Sequence, residues 1–134
     1  MPGKLTCTVV TPEQTALETE ADFVALPLYD GEIGIAPRHT PLIGRLGFGE
    51  LRIVSGGTTR SFYVDGGFVQ VADDQIAVMT DRAVPAAALD VAAAEKQLAA
   101  ALSRPATSPE TMDIRDRQIA QARAQIRTAR RARM

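Results

Sequence analysis

Tryptophan is absent from this chain, cysteine and histidine occur once each, and only 4% of the residues are aromatic. With Cys7 the single cysteine, no internal disulfide can form; a reducing compartment is the easier reading, with the thiol serving as a small apolar core residue. His39 has no Cys or His partner near it in sequence, so nothing has metal-ligand spacing. It also lacks the orienting partner that a general acid or base needs, and between Pro37 and Pro41 it reads as a turn or interface residue. No apolar run approaches the roughly 20 residues that span a bilayer, and residues 1–20 lack the apolar stretch of a signal peptide. The chain is therefore expected to be soluble as made, with membrane contact only through partners. Gly47-Phe48-Gly49 is too short for a dinucleotide fingerprint and opens no helix. Asp73-Asp74 reads as a solvated hairpin tip rather than a carboxylate pair. The residues offer no catalytic constellation, no metal site and no cofactor.

What is present divides in two. At 134 residues the chain has room for one compact core with an appendage. Residues 1–102 hold 7 Lys/Arg against 13 Asp/Glu, whereas residues 103–134 hold 8 against 3. An acidic body thus carries a basic tail. Every glycine lies at or before Gly67, while the stretch from Ala83 onward is dominated by Ala, Arg and Gln. That shift marks a passage from turn-rich β structure to helix.

In the body, Leu5, Cys7 and Val9 alternate with Lys4, Thr6 and Thr8, the period-two pattern of a strand with one buried face. Thr11-Pro12 ends it. Phe23 to Leu28 is a nearly continuous apolar run of strand length, closed by the Asp30-Gly31 turn. Gly49 to Val54 alternates again, with Leu51 and Ile53 on one face and Glu50 and Arg52 on the other. Gly56-Gly57 is a hairpin signal because both positions tolerate positive φ. Gly66-Gly67 and Asp73-Asp74 bracket another short run, and Gln75 to Thr80 follows. Short strands at this spacing predict an antiparallel sandwich or flattened barrel.

In the tail, Val91, Ala94, Leu98 and Ala101 form a stripe on one helical face, with Asp90 suited to the helix start. Ser103 to Pro109 breaks the pattern, and Ser108-Pro109-Glu110 supplies an N-cap, a first-turn proline and an acid. A second helix to about Arg131 carries the stripe Met112, Ile119, Ala122, Ile126 and Ala129. Matching stripes predict an antiparallel helical hairpin. Most stripe positions are alanine, worth far less than the roughly 1.5 to 3 kcal/mol of a buried Leu or Ile, so the hairpin is expected to fold when docked and to let go readily. Arg115, Arg117, Arg123, Arg127, Arg130, Arg131 and Arg133 make the second helix basic. A solvated face accounts for such a run, as does an acidic protein surface. Nucleic acid is disfavoured, because the tail has no aromatic residue for stacking and the acidic body repels a polyanion.

The order and spacing of Gly31, Gly34, Ile35, Pro37, His39, Pro41, Leu42, Gly49, Leu51, Gly66, Gly67 and Phe68 resemble the β-domain signature of the epsilon subunit of F-type rotary ATP synthases. The helical tail extends that resemblance to nearly the whole chain. Leu28 and Arg38 stand where the family commonly has glycine, departures expected to alter turn geometry rather than fold. The fold the resemblance implies is β plus α: an N-terminal antiparallel β-sandwich of about ten short strands over residues 1–84, then a C-terminal two-helix hairpin over residues 85–134.

The same resemblance implies a non-catalytic central-stalk subunit that couples a membrane rotor ring of c subunits to the gamma shaft and restrains ATP hydrolysis through its helices. By position the ring-contacting loop is Tyr29, Asp30, Gly31, Glu32, Ile33 and Gly34, with Glu32 at its tip. Pro37, Arg38, His39, Thr40, Pro41 and Leu42 are expected near that loop, close to gamma or the ring. Arg115, Arg123, Arg127, Arg130 and Arg131 would meet the alpha/beta catalytic head. The implied setting is the cytoplasmic face of a bacterial inner membrane, peripheral and within the complex. Some family members bind ATP through a Leu/Ile-Asp-x-x-Arg-Ala motif; here Asp90 is kept but Ala93 occupies the arginine position, so weak or no ATP binding is expected. The residues alone leave a second reading open: a free-standing β-sandwich interaction module whose Arg-rich hairpin binds an acidic partner or nucleic acid.

Overall fold

The computed structural model describes residues 4–132. Eight strands precede two helices: β1 (Leu5–Val10), β2 (Thr15–Ala21), β3 (Phe23–Leu28), β4 (Gly31–Ile35), β5 (Leu42–Ser55), β6 (Thr58–Ala72), β7 (Gln75–Met79) and β8 (Ala83–Pro85). A single 3-10 turn, Ala86–Ala88, leads to α1 (Val91–Ser103) and α2 (Pro109–Ala132). The strands hydrogen-bond in the order β2-β1-β7-β6-β5-β3-β4, with β8 added beside β6. Pairing is antiparallel except between β1 and β7, which run parallel.

Eight strands replace the ten expected because β5 and β6 are long and serve both layers of the sandwich. Gly66-Gly67, read from sequence as one end of a short run, lies inside β6 at φ 73° and 108° and bends the strand without breaking its register with β5. Before the bend β6 pairs with β8 at Phe62–Val64, and after it with β7 at Phe68–Ala72. A Cβ on Gly67 would meet the Met79 carbonyl oxygen at 1.9 Å, so only glycine lets β6 pass there. The other turn signals form as expected. Gly56-Gly57 and Asp73-Asp74 both hold two positive-φ residues between paired strands, the geometry that matches strand twist.

Alternation places Leu5, Cys7, Val9, Ala21, Leu26, Ile35, Leu51, Ile53, Val64, Val69 and Val78 in one core drawn from β1 to β7. Among the described residues, none of either helix belongs to that core. Burial pushes the Cys7 thiol up to about 12, which keeps it protonated and inert at neutral pH. β2 gave little sign of itself in sequence. At the sheet edge only Ala21 is fully buried; Leu17 and Thr19 alternate with exposed Glu18 and Glu20 but are only partly covered, so TALETEA shows the half-buried pattern weakly.

Arg38, at a position where glycine was expected, keeps the glycine-like conformation with φ 69°. Its backbone N–H donates to Asp74 Oδ1 at 2.6 Å, which ties the β4–β5 connection to the β6–β7 turn and offsets the strain of a left-handed arginine. β8 reaches Pro85 and straddles the expected boundary at residues 84 and 85.

The helices form where the capping chemistry places them. Asp90 Oδ1 accepts the Ala93 backbone N–H at 3.0 Å and caps α1. Ser108 Oγ accepts the Thr111 N–H at 3.2 Å ahead of Pro109 at the first position of α2. The helices pack along Ala94, Ala101, Ala122 and Ile126, and Gln97 Nε2 donates to the Gln118 carbonyl at 3.0 Å across the seam. Met112 departs from the expected stripe and is exposed. Ala124, Gln125 and Thr128 are buried instead, because the C-terminal half of α2 faces the sandwich as well as α1.

Candidate functional site

The surface between α2 and the sandwich concentrates the polar chemistry of the molecule. Tyr63 is fully buried there, under Ala124 and Ala129 and beside Leu89, with Phe48, Val84 and Val91 around the rim. Its hydroxyl donates to Asp65 Oδ1 at 2.8 Å, and Gln121 Nε2 of α2 donates to the same oxygen at 3.0 Å. Burial raises the Tyr63 pKa above the ordinary phenol value, and the neighbouring Asp65 charge adds to the effect. Thr128 satisfies its buried hydroxyl by donating to the Ala124 carbonyl one turn back.

A second set of contacts is ionic. Glu50 alternates with Leu51 and Ile53 and was expected on a solvent face, yet its side chain is only 7% exposed because α2 lies over it. Glu50 Oε1 receives Arg131 Nη1 from the last turn of α2 at 3.4 Å and Arg52 Nη1 at 3.2 Å. Arg52 turns its other nitrogen, Nη2, to Glu32 Oε1 at 3.2 Å. Burial works against the charge on Arg52, but hydrogen bonds to Glu50 and Glu32 outweigh it and hold its pKa above the usual guanidinium value. Further along α2, Arg117 lies 5.8 Å above the Phe48 ring and 4.0 Å from Asp81.

The residues singled out in sequence fall in three places. Tyr29 and Asp30 form the β3–β4 turn, whereas Glu32, expected at the tip, sits in β4 opposite Pro27. Tyr29 is 69% exposed and carries the Arg45 guanidinium 4.5 Å above its ring. Gly31, Ile33 and Gly34 belong to β4. Pro37 to Pro41 follow the far end of β4, about 17 Å along the strand from the Tyr29–Asp30 turn, and Leu42 opens β5. The structure ties this segment to the Asp73-Asp74 turn through Arg38; His39 Nδ1 bonds to the neighbouring Thr40 carbonyl at 2.7 Å. Of the tail arginines, Arg131 is engaged by Glu50. Arg115 reaches only Asp116, at 3.8 Å, while Arg123, Arg127 and Arg130 are exposed and form no ion pair with a described residue. Arg133 lies outside the described residues. Asp90 is occupied as a helix cap and Ala93 presents a methyl to solvent.

Exposed apolar side chains gather further along β5, β6 and β7, beyond the stretch that α2 covers. Arg45, Phe68 and Met79 are successive partners across the three strands, with Ile43 on the same face of β5. Phe68, Met79 and Ile43 are exposed, and an open depression of about 800 Å³ beside them is lined by Val10, Pro12, Phe68 and Met79. Among the described residues no group of three acidic, His or Cys side chains is placed to hold a metal ion, and no described helix is long and apolar enough to cross a membrane.

The ATP synthase Delta/Epsilon chain beta-sandwich domain family matches residues 4–86. An ATP synthase epsilon chain of Rhodopirellula baltica is 49% identical over 124 residues, 92% of this chain and 97% of the relative. One from Desulfitobacterium hafniense is 38% identical over 129 residues, covering 95% and 96%. The chain belongs to the ATP synthase epsilon chain family. Epsilon-family membership thus extends through both helices, since these relatives align well beyond residue 86. The fold agrees: a chain in the Euglena gracilis mitochondrial ATP synthase (OSCP/F1/c-ring) superposes with a TM-score of 0.83 at 20% identity, covering 92% of this chain and 80% of that one. A chain from the Tetrahymena thermophila mitochondrial central stalk and c-ring gives 0.74 at 14% identity, covering 94% and 96%.

Sequence reasoning missed Tyr63, Asp65, Gln121 and Glu50. Glu50 lies on the strand face opposite Leu51 and Ile53, Tyr63 on a strand to which the sequence reading gave no faces, and nothing local announces a helix packed there. Gln121 and the buried Gln125 carried a signal, since both flank Ala122 and Ala124 in the half of α2 richest in alanine.

Proposed function

We propose that this chain is a non-catalytic rotor subunit whose sandwich couples the gamma shaft to the c-ring while its hairpin acts as a releasable brake on ATP hydrolysis. Membership of the epsilon family supports the rotor role and leaves no ground for a free-standing module. The 49% identity to the Rhodopirellula baltica chain supports a bacterial complex, with this subunit peripheral on the cytoplasmic face of the inner membrane. The exposed row Ile43, Phe68 and Met79 suits a protein surface, and the exposed Tyr29, carrying Arg45 of the neighbouring strand over its ring, supports the Tyr29–Gly34 loop as the ring contact. Arg123, Arg127 and Arg130, exposed on α2, suit the acidic surface of a catalytic head.

One observation carries the reading: among the described residues the sandwich core contains no helical one, so the hairpin can leave without opening it. The pair of units is tested in an ATPase depleted of its own epsilon subunit. The full chain and a chain lacking residues 86–134 should both bind, and only the full chain should slow hydrolysis. Equal restraint by the shortened chain would remove the braking role from the helices, and absence of binding at micromolar concentration would remove the rotor role. ATP itself is not the signal for release in this reading, because Ala93 brings no charge to a phosphate; micromolar affinity in calorimetry would overturn that point.

A further inference from the structure

Glu32, Arg52, Glu50 and Arg131 form one unbroken line of ion pairs from β4, across β5, to the last turn of α2. Two features make the line more than a row of surface contacts. Arg52 and Arg131 address the same atom, Glu50 Oε1, and Glu50 is almost wholly covered. Arg52 meanwhile divides its guanidinium between two carboxylates, one nitrogen to each, and so closes as a two-pronged fork on neither.

We propose that this shared arginine couples the β3–β4 hairpin to the docking of α2. A cationic group of a partner protein that takes Glu32 removes its claim on Arg52. Arg52 then turns both nitrogens onto Glu50, Arg131 loses the oxygen it shared, and the C-terminal end of α2 is held less firmly. The opposite order holds by linkage: a chain whose α2 has lifted away leaves Arg52 drawn to Glu50 and presents Glu32 free to a partner. The coupling rests on the proposed release of the hairpin only for its use in the complex; within the isolated chain it stands on the ion pairs alone.

The test measures hydrogen exchange of the α2 amides between Ala122 and Ala129 in the full chain at low salt, where ion pairs of this kind are least screened. Glu32→Gln stands for an occupied Glu32 and should speed exchange by about 1.5- to 5-fold, the range that partly exposed ion pairs support. Arg52→Gln removes the competitor for Glu50 and should not speed it. With Arg52→Gln already present, Glu32→Gln should have no further effect. An unchanged rate in Glu32→Gln overturns the coupling. So does an effect that persists in the Arg52→Gln background, since the Glu32 charge would then be acting on Arg131 through space and not through the shared arginine. If the three exchange results hold but the same chain fails to slow a depleted ATPase, the coupling stands and the brake falls.

Discussion

The sandwich and the hairpin hold themselves together with side chains of different size. The sandwich closes on Leu5, Leu26, Ile35, Leu51, Ile53 and Ile76, each fully buried and each contributing about 1.5 to 3 kcal/mol. The hairpin rests on Ala94, Ala101, Ala122, Ala124 and Ala129, with Ile126 the one large aliphatic side chain buried in α2. Alanine offers a single methyl to bury, so the same number of contacts yields a fraction of the stabilisation. What alanine withholds, polar pairs supply in part: Gln121 to Asp65, Arg131 to Glu50, Arg117 to Phe48 and Asp81. Such contacts are exchanged for water at small net cost, unlike buried aliphatic surface. One chain thus carries a unit built to persist and a unit built to be exchanged.

The largest effect that would break this contrast is on the sandwich. Gly67→Ala forces a methyl against the Met79 carbonyl at a φ of 108° and should cost about 3 to 5 kcal/mol. Thermal unfolding should show helix and strand signals falling together, because the hairpin has no platform without β6. A hairpin that stays folded after the sandwich melts would reverse the dependence described here. Next in size, Ala124→Glu buries a carboxylate against Tyr63 and should detach the hairpin at a cost of about 2 to 3 kcal/mol to docking. The sandwich midpoint should move little; a matching fall in both transitions would show that the two units are one.

The smallest effect concerns pH and sharpens the comparison. The Tyr63 pKa is raised in the docked state, so its contribution to docking is complete below about pH 10, the ordinary phenol value. It is lost as pH rises through the docked pKa, when the phenolate is drawn out beside Asp65. Exchange of α2 amides, corrected for intrinsic rate, should accelerate above pH 10 relative to those of β5, and Tyr63→Phe should remove the difference. Parallel acceleration in both elements would place the titrating group elsewhere.

Much of this architecture was legible in the sequence, and the gaps have physical causes. Alternation at Leu5, Cys7 and Val9 and the helix starts at Asp90 and Ser108 report local chemistry, and the structure places them as read. Gly66-Gly67 was misread because two positive-φ glycines mark a bend within a strand as readily as the end of one. β2 escaped notice because an edge strand has one neighbour and little to bury. Glu50 and Tyr63 could not be placed, since what covers them arrives from a helix about 60 to 80 residues later, and chain spacing carries no trace of it. The arginines of α2 were visible as a group, yet the special position of Arg131 depended on a carboxylate that looked exposed.

The alanine seam has one more consequence, for the fate of the chain once the helices part. An opened leucine interface is adhesive, and a motor that cycled it would risk fouling against any passing chain. Two strips of methyl groups offer little to stick to, so the parted hairpin can wait, close and part again without needing a guardian.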